Sequence, residues 1–272
     1  IESGRTGGRN MDKDKYSKDA AVFEHEIATE PDQGLCDRYA FYLAQSYRDA
    51  NNVDKSLEWY LNVLTRNNWA QEKYYSALMI GQIYNNHKQD FEKSMYYLSK
   101  STEYDDTRFE GLIFLMEICL AKDMHHMVDM LYSQIQKNYH NLKLDNKLFV
   151  YKYLYDEGVM DFINVISCYY TKNFESGYKS IKKIAEVQKM KSDKMNTTLN
   201  NMIFYVDAMK NDESAEAVDF FRNYVRILSN KCGVQRQSIT PNECTIFNVL
   251  LEKNKNKLTK YKVYSPLNSK KD

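Results

Sequence analysis

Residues 39–64 read YAFYLAQSYRDANNVDKSLEWYLNVL, and residues 76–101 read SALMIGQIYNNHKQDFEKSMYYLSKS. Each stretch has an apolar residue, then a small one, then a tyrosine three positions later: Leu43-Ala44-Tyr47 and Ile80-Gly81-Tyr84. Each then crosses a polar turn rich in asparagine. A Lys-Ser step follows, with a second amphipathic run behind it, Lys55-Ser56-Tyr60 against Lys93-Ser94-Leu98. A looser third copy passes through Leu115-Met116-Cys119 and then Val128, Tyr132 and Ile135. Apolar residues recurring every three or four positions on both sides of a short turn spell helix–turn–helix. Ala44 and Gly81 lie 37 residues apart and Met116 follows 35 later. A repeat of that length predicts paired helices that bury their apolar faces only by stacking on the next pair.

Close packing explains which residues recur. Ala44, Gly81, Ser56 and Ser94 fall where paired helices must approach closely, and a larger side chain would push them apart. Tyr47, Tyr60 and Tyr84 fill the space between neighbouring pairs while their hydroxyls reach the edge. Asn51-Asn52 and Asn85-Asn86 take the place of the usual turn glycine, because asparagine tolerates the left-handed conformation. Period, small-residue positions and layout resemble those of tetratricopeptide (TPR) repeats, whose period is about 34 residues.

Outward from this core the pattern continues. Residues 15–29 carry Ala20, Phe23 and Ile27 on one face and are followed by Pro31, which predicts a helix packed on the first repeat. Residues 138–158 read as an insertion with one short apolar helix. Helical spacing resumes at 159–170 and 174–186 around Thr171-Lys172-Asn173, and a further pair falls at 198–209 and 213–228. Thr240-Pro241 marks the start of a last helix through Ile246, Phe247, Leu250 and Leu251. The reading is an all-α, TPR-like helical-repeat solenoid of about five helix pairs with flanking helices. Residues 1–14 form a linker or the end of an upstream domain, 15–252 the repeat domain and 253–272 a Lys-rich tail.

Composition agrees. The chain has 272 residues with only 9 Gly and 3 Pro, too little turn chemistry for a Rossmann fold or a β-sandwich. With 38 Lys+Arg against 37 Asp+Glu, it lacks the basic excess of a nucleic-acid or acidic-membrane binder. No apolar run approaches the roughly 20 residues of a membrane span. Five Cys without a CxxC pair suggest neither a disulfide framework nor a zinc site, and a reducing, cytoplasmic setting is expected. The opening IESGRTGGRN has no apolar signal core and no initiator Met, so the chain reads as part of a longer polypeptide. Tyr, Asn, Lys and Ile are abundant, the residues of AT-rich codons.

Few residues suggest chemistry. His125 and His126 are adjacent, which on a helix points them about 100° apart rather than at one metal. All five His are expected at the surface. Asp12-Lys13-Asp14 has the form of a metal-binding DxD but sits in a charged linker, and a solvated cluster accounts for it. Asp105-Asp106-Thr107 reads as an N-cap before the third repeat. No nucleophile elbow or nucleotide fingerprint is present, and no catalytic or metal-ligating residue is assigned.

A solenoid works through its concave face. In repeat register that face takes Arg38, Phe41, Gln45, Arg48 and Asp49, then Tyr75, Leu78, Gln82, Asn85 and Asn86, and then Glu110, Ile113 and Glu117. This polar and aromatic mixture suits a protein-binding groove, and it is not the carboxylate clamp of chaperone adaptors. Arg48 and Asp49 have a second reading, as partners of neighbouring helices.

RYAFYLAQSYRDANNVDKSLEWYLNVL, with Trp69 and EKYYSALMIGQIY after it, resembles the TPR region behind the catalytic domain of certain family 2 glycosyltransferases of bacteria and large DNA viruses. GRTGGRNMDKDKYSKDAAVFEHEI resembles the junction between the two parts, and ISCYYTKNFESGYKSIKKI and NNMIFYVDAM resemble later repeats. The resemblance implies an accessory region of an inverting, metal-dependent enzyme that moves a sugar from a nucleotide-sugar to an acceptor hydroxyl. Donor site, divalent metal and base would lie upstream; only Gly7, Gly8 and Arg9 match the end of the catalytic domain, and this stretch holds no cofactor of its own. Its implied partners are the upstream catalytic domain and an acceptor protein or glycan, with no membrane. A viral source would place it in the host cytoplasm. Two other readings are a free-standing TPR adaptor for a peptide and, on the Lys-rich tail and many Tyr alone, single-stranded RNA binding.

Overall fold

Stacked helices need turns that reverse the chain within a few residues, and this chain makes them almost without glycine. The computed structural model describes residues 14–186, 192–212, 214, 216–233 and 238–258, and every regular element among them is helical. The first helices are α1 (Lys15–Thr29), α2 (Gln33–Asp49), α3 (Val53–Thr65), α4 (Ala70–Ile83), α5 (Phe91–Tyr104), α6 (Glu110–Ala121) and α7 (His125–Asn138). After a single 3-10 turn (Tyr139–Asn141) come α8 (Tyr153–Asp156), α9 (Val159–Thr171), α10 (Phe174–Glu186), α11 (Ser192–Asn201), α12 (Val206–Asn211), α13 (Glu216–Gly233) and α14 (Pro241–Leu258). The last helix thus runs past Lys253, where the sequence suggested a tail.

A left-handed residue stands two positions before each of α3, α5, α7 and α10: Asn51, Gln89, Asp123 and Lys172, with φ of 60°, 53°, 56° and 63°. None is glycine. Asn51 is as expected, but Asn85 and Asn86 are not the second turn. There α4 widens into a π-helical turn, Tyr84–Lys88, and the left-handed step moves on to Gln89. The Gln89 side-chain amide donates to the Asn85 and Asn86 carbonyls at 3.0 and 3.2 Å, covering acceptors that a helix end otherwise leaves open. Asp32, Asn52 and Asp90 each accept a backbone N–H at the start of α2, α3 and α5, caps of about 1 kcal/mol each.

Among the described residues, contacts gather into two compact units, one drawn from 14–118 and 135–150, the other from 119–134 and 151–258. In the first, α1 packs on α2, α2 on α3, α3 on α4 and α4 on α5, the neighbour-on-neighbour order of a helical-repeat architecture. Ala20 of α1 is buried with Leu43 and Tyr47, and Phe23, Ile27 and Trp59 pack around them. The Ser56 hydroxyl donates to the Ala44 carbonyl at 3.1 Å. A Cβ on Gly81 would stand 2.6 Å from Leu98 Cγ, so the backbones of α4 and α5 meet where the sequence placed a small residue.

In the second unit α9 packs on α10, and α13 on α14. Its core joins Cys168, Tyr178, Ile181, Met202, Tyr205, Phe221, Tyr224 and Phe247. The helix expected over 198–209 is interrupted: Met202–Tyr205 tightens into a 3-10 turn between α11 and α12. There the Tyr205 hydroxyl donates to the Val165 carbonyl, and a Cβ on Gly177 would collide with the Tyr205 ring. Thr240 and Pro241 open α14 as expected: Thr240 N–H donates to Glu243 Oε2 at 2.7 Å, and Glu243 N–H to Thr240 Oγ1 at 3.3 Å. This reciprocal pair is a capping box, and buried Lys231 closes it with bonds of 2.6 and 2.8 Å to Glu243.

Candidate functional site

The face that the repeat register assigned to a ligand is partly filled by the chain itself. Between the 3-10 turn and α8 the chain forms a turn at 145–146 and then bends, and Lys147, Leu148 and Phe149 reach the turn between α5 and α6, α4 and α2. Lys147 Nζ pairs with Asp105 Oδ2 at 2.7 Å. Leu148 N–H points at Gln71 Oε1 (3.4 Å), and its carbonyl accepts from Arg108 Nη1 at 2.8 Å. The Phe149 ring lies 4.9 Å from that of Tyr75 and 6.4 Å from that of Phe41, centroid to centroid.

Beneath this segment is a buried polar network. Arg108 is fully buried: its Nη2 donates to Glu110 Oε1 at 2.7 Å, its Nη1 to Gln71 Oε1 at 2.8 Å, and its guanidinium stacks 4.1 Å over the Tyr74 ring. The Tyr74 hydroxyl donates to Glu110 Oε2 at 2.8 Å, and Gln71 Nε2 to Asp105 Oδ2 at 2.6 Å. Burial is the largest single influence on Asp105 and pushes its carboxyl up. Hydrogen bonds from Lys147, Thr107 and Gln71 together outweigh it and hold the group below the usual carboxylate range. Asp105 is therefore no N-cap for α6, which begins at Glu110; it closes α5 and accepts from Thr107 N–H (3.0 Å) and Oγ1 (2.6 Å).

Beside the segment opens a cleft of about 410 Å³. Its floor is Asp37, which accepts from Gln33 at 2.9 Å and pairs with Arg66 at 3.2 Å, and Asn68, whose amide donates to the Asp37 carbonyl and to Glu72. Its rim is aromatic: Trp69 is 56% exposed and Phe149 47%. Arg38 reaches over the Tyr42 ring and donates to its hydroxyl at 3.2 Å.

The other register positions divide. Phe41 and Tyr75 are buried, and Arg48 turns inward onto the Tyr75 hydroxyl at 2.6 Å and onto Asp49 at 2.8 Å. Burial bears most on Arg48 and lowers its pKa, but Tyr60, Tyr75 and Asp49 outweigh it and raise the group overall. Gln45, Gln82 and Glu117 are half-buried and Asp49 exposed. Asn85 and Asn86 belong to the wide turn, where the Asn85 amide donates to Asn86 Oδ1 at 2.7 Å. Leu78, Glu110 and Ile113 are interior. The register did not point to Trp69, Gln71, Arg108 or the 147–149 segment. The one signal for the segment was the apolar run Leu148-Phe149-Val150 inside the insertion.

The second unit holds a polar cluster of its own. Tyr132 donates to Asp161 Oδ1 at 2.6 Å, and the Ser180 hydroxyl lies 2.7 Å from the Tyr132 oxygen. Burial, with Asp161 alongside, pushes the Tyr132 phenol well up, and burial also raises Asp161 against Tyr132, Lys183 and Ser180. Burial likewise lifts the Cys119 and Cys168 thiols to about 11 and about 12, which leaves little thiolate at neutral pH. His125 is not at the surface as expected: its ring stacks at 4.1 Å on Tyr170, with Nδ1 3.4 Å from Ser167 Oγ, while the other four His are exposed. Among the described residues no three His, Cys, Asp or Glu gather as a metal site, and no helix is long and apolar enough to cross a membrane. Compared with protein-family models and with curated proteins, the chain matches none.

Proposed function

We propose that the chain is a TPR-type binding module serving as the accessory region of a family 2 glycosyltransferase. In this reading it holds the acceptor protein or glycan, or docks the catalytic domain, and so raises the concentration of acceptor at the transfer site. Nucleotide-sugar donor and divalent metal belong to the catalytic part. A large DNA virus as source, and the host cytoplasm as location, are parts of the same reading, which the sequence resemblance supports.

The observation that carries the binding role is the cleft on α2 and α4. Exposed Trp69 and Phe149 flank Arg38 above a floor of fixed carboxylate and amide groups. Large aromatic area beside oriented polar groups is the composition of a recognition site. The test compares the parent enzyme with a version lacking residues 31–272, and with Trp69→Ala and Arg38→Ala, for stability, transfer rate and acceptor affinity. The deletion is expected to lower at least one of them, and the point variants to weaken acceptor binding about tenfold or more, as loss of an aromatic or arginine anchor does. Unchanged values throughout would refute both halves of the reading. A peptide seated on this face, as residues 147–149 are, favours a second reading, a free-standing adaptor; absence of an encoded catalytic domain upstream of Ile1 would select it.

A further inference from the structure

We propose that Lys147-Leu148-Phe149 is a built-in, displaceable occupant of a peptide groove formed by α2, α4 and the turn ahead of α6, and that the groove takes a short segment of a partner protein carrying Lys and, two positions on, an aromatic residue. The inference rests on reading this face as the ligand face.

Three features of the seated segment are read separately. Lys147 meets the buried Asp105 carboxylate at 2.7 Å. The middle residue offers only its backbone, with Leu148 N–H toward Gln71 and its carbonyl on Arg108. Phe149 presents its ring to Tyr75 and Phe41, and its carbonyl lies 3.5 Å from Arg108 Nη2. Backbone bonds give grip and flanking side-chain pockets give choice, the general division of labour in peptide recognition. Any chain with the same spacing can make the same contacts.

The segment also bears marks of a poor fit to its own backbone. Asn146 and Phe149 are both left-handed, with φ of 59° and 47°, a region that bulky L-residues avoid. Phe149 remains 47% exposed although its ring is the aromatic anchor. A partner peptide that places its aromatic ring without the left-handed step makes the same contacts with less strain. Gln71, Asp105 and Arg108, all buried, lose hydrogen bonds if the groove stands empty. The groove is therefore built for exchange of occupants, and its affinity for a partner is reduced by the fraction of time the internal segment is seated.

The probe is a fluorescent peptide of residues 143–152 (KLDNKLFVYK), titrated by anisotropy into the unmodified chain and into Lys147→Ala/Phe149→Gly. The variant is expected to bind it about tenfold or more tightly than the unmodified chain. Peptides carrying Lys147→Glu or Phe149→Ala are expected to lose that binding. A folded variant that binds no peptide, or binds all three alike, overturns the proposal. Hydrogen exchange on the unmodified chain supplies a test that needs no variant. The Leu148 amide should exchange at least about tenfold faster than the α4 amides, and faster still with peptide present, since local opening precedes global unfolding. Exchange of Leu148 in step with α4, unaltered by peptide, also overturns it. A variant that binds no peptide while Trp69→Ala still weakens acceptor binding refutes this inference and leaves the function standing.

Discussion

Replacing Arg108 by Ala is expected to be among the most damaging single changes in the first unit. The guanidinium is fully buried, and both Glu110 carboxylate oxygens accept from it at 2.7 to 3.2 Å. Removing the cation from a buried pair costs about 3–5 kcal/mol, because the remaining charge keeps its desolvation and loses its compensation. The Leu148 carbonyl and Gln71 each lose a buried donor as well, at about 1 kcal/mol apiece. These losses are not additive within one network, so a total of roughly 4–6 kcal/mol is expected. Set against a typical stability of about 5–15 kcal/mol, the variant lies near the limit of folding. Urea melts at pH 7 supply the measurement, with the slope checked for constancy between variants. Arg108→Met/Glu110→Leu, which removes both charges, should recover most of the loss. A cost under about 1 kcal/mol for Arg108→Ala, or a double variant no more stable than the single one, would refute the assignment of Arg108 and Glu110 as a coupled buried pair.

Two further outcomes are expected. Gly81→Ala drives a methyl group to within 2.6 Å of Leu98 Cγ and should cost about 1–3 kcal/mol by overpacking, despite the better helix propensity of Ala; a gain in melting temperature would show that α4 and α5 are not in close contact there. Asp212 is held at about 2: burial raises it, but Ser214 and then Lys182, 3.0 Å away, prevail. Its folded-state pKa lies below the unfolded one, so its contribution is present above about pH 4 and is lost as pH falls toward 2. Asp212→Asn should therefore be less stable than the parent at pH 7 and lose less stability on acidification; parallel stability curves from pH 5 to 2 would contradict this.

Helix positions were legible because periodicity encodes burial directly. The bounds 15–29 and 174–186 coincide with α1 and α10, and 159–170 falls one residue short of α9. Ala44 and Gly81 were legible for a related reason, since small residues recur only where backbones meet. The second turn was misplaced because asparagine signals a left-handed step through its own side chain. Here a glutamine takes that step and uses its amide on the two asparagine carbonyls. The site was harder still. Repeat register says which side chains face inward across a stack, but not that an insertion will lie over them. Segment 147–149 is held partly through main-chain groups, and every residue has those. Arg108 sits outside helical spacing, in the turn ahead of α6, where a buried cation leaves no periodic trace.

Leu148 and Gln71 are 77 positions apart in the chain, and Phe149 and Arg108 are 41 apart, whereas α1 to α5 touch in order of synthesis. Helices stacked on their immediate predecessors assemble by local steps, and long-range closure comes afterwards. On a ribosome adding about 5–20 residues per second, the interval between Arg108 and Phe149 amounts to a few seconds. For that time α2 and α4 have been made while the segment that covers them has not. A nascent chain thus presents its Phe41 and Tyr75 face to other polypeptides before the mature protein does, and a partner translated alongside could engage it without first displacing anything.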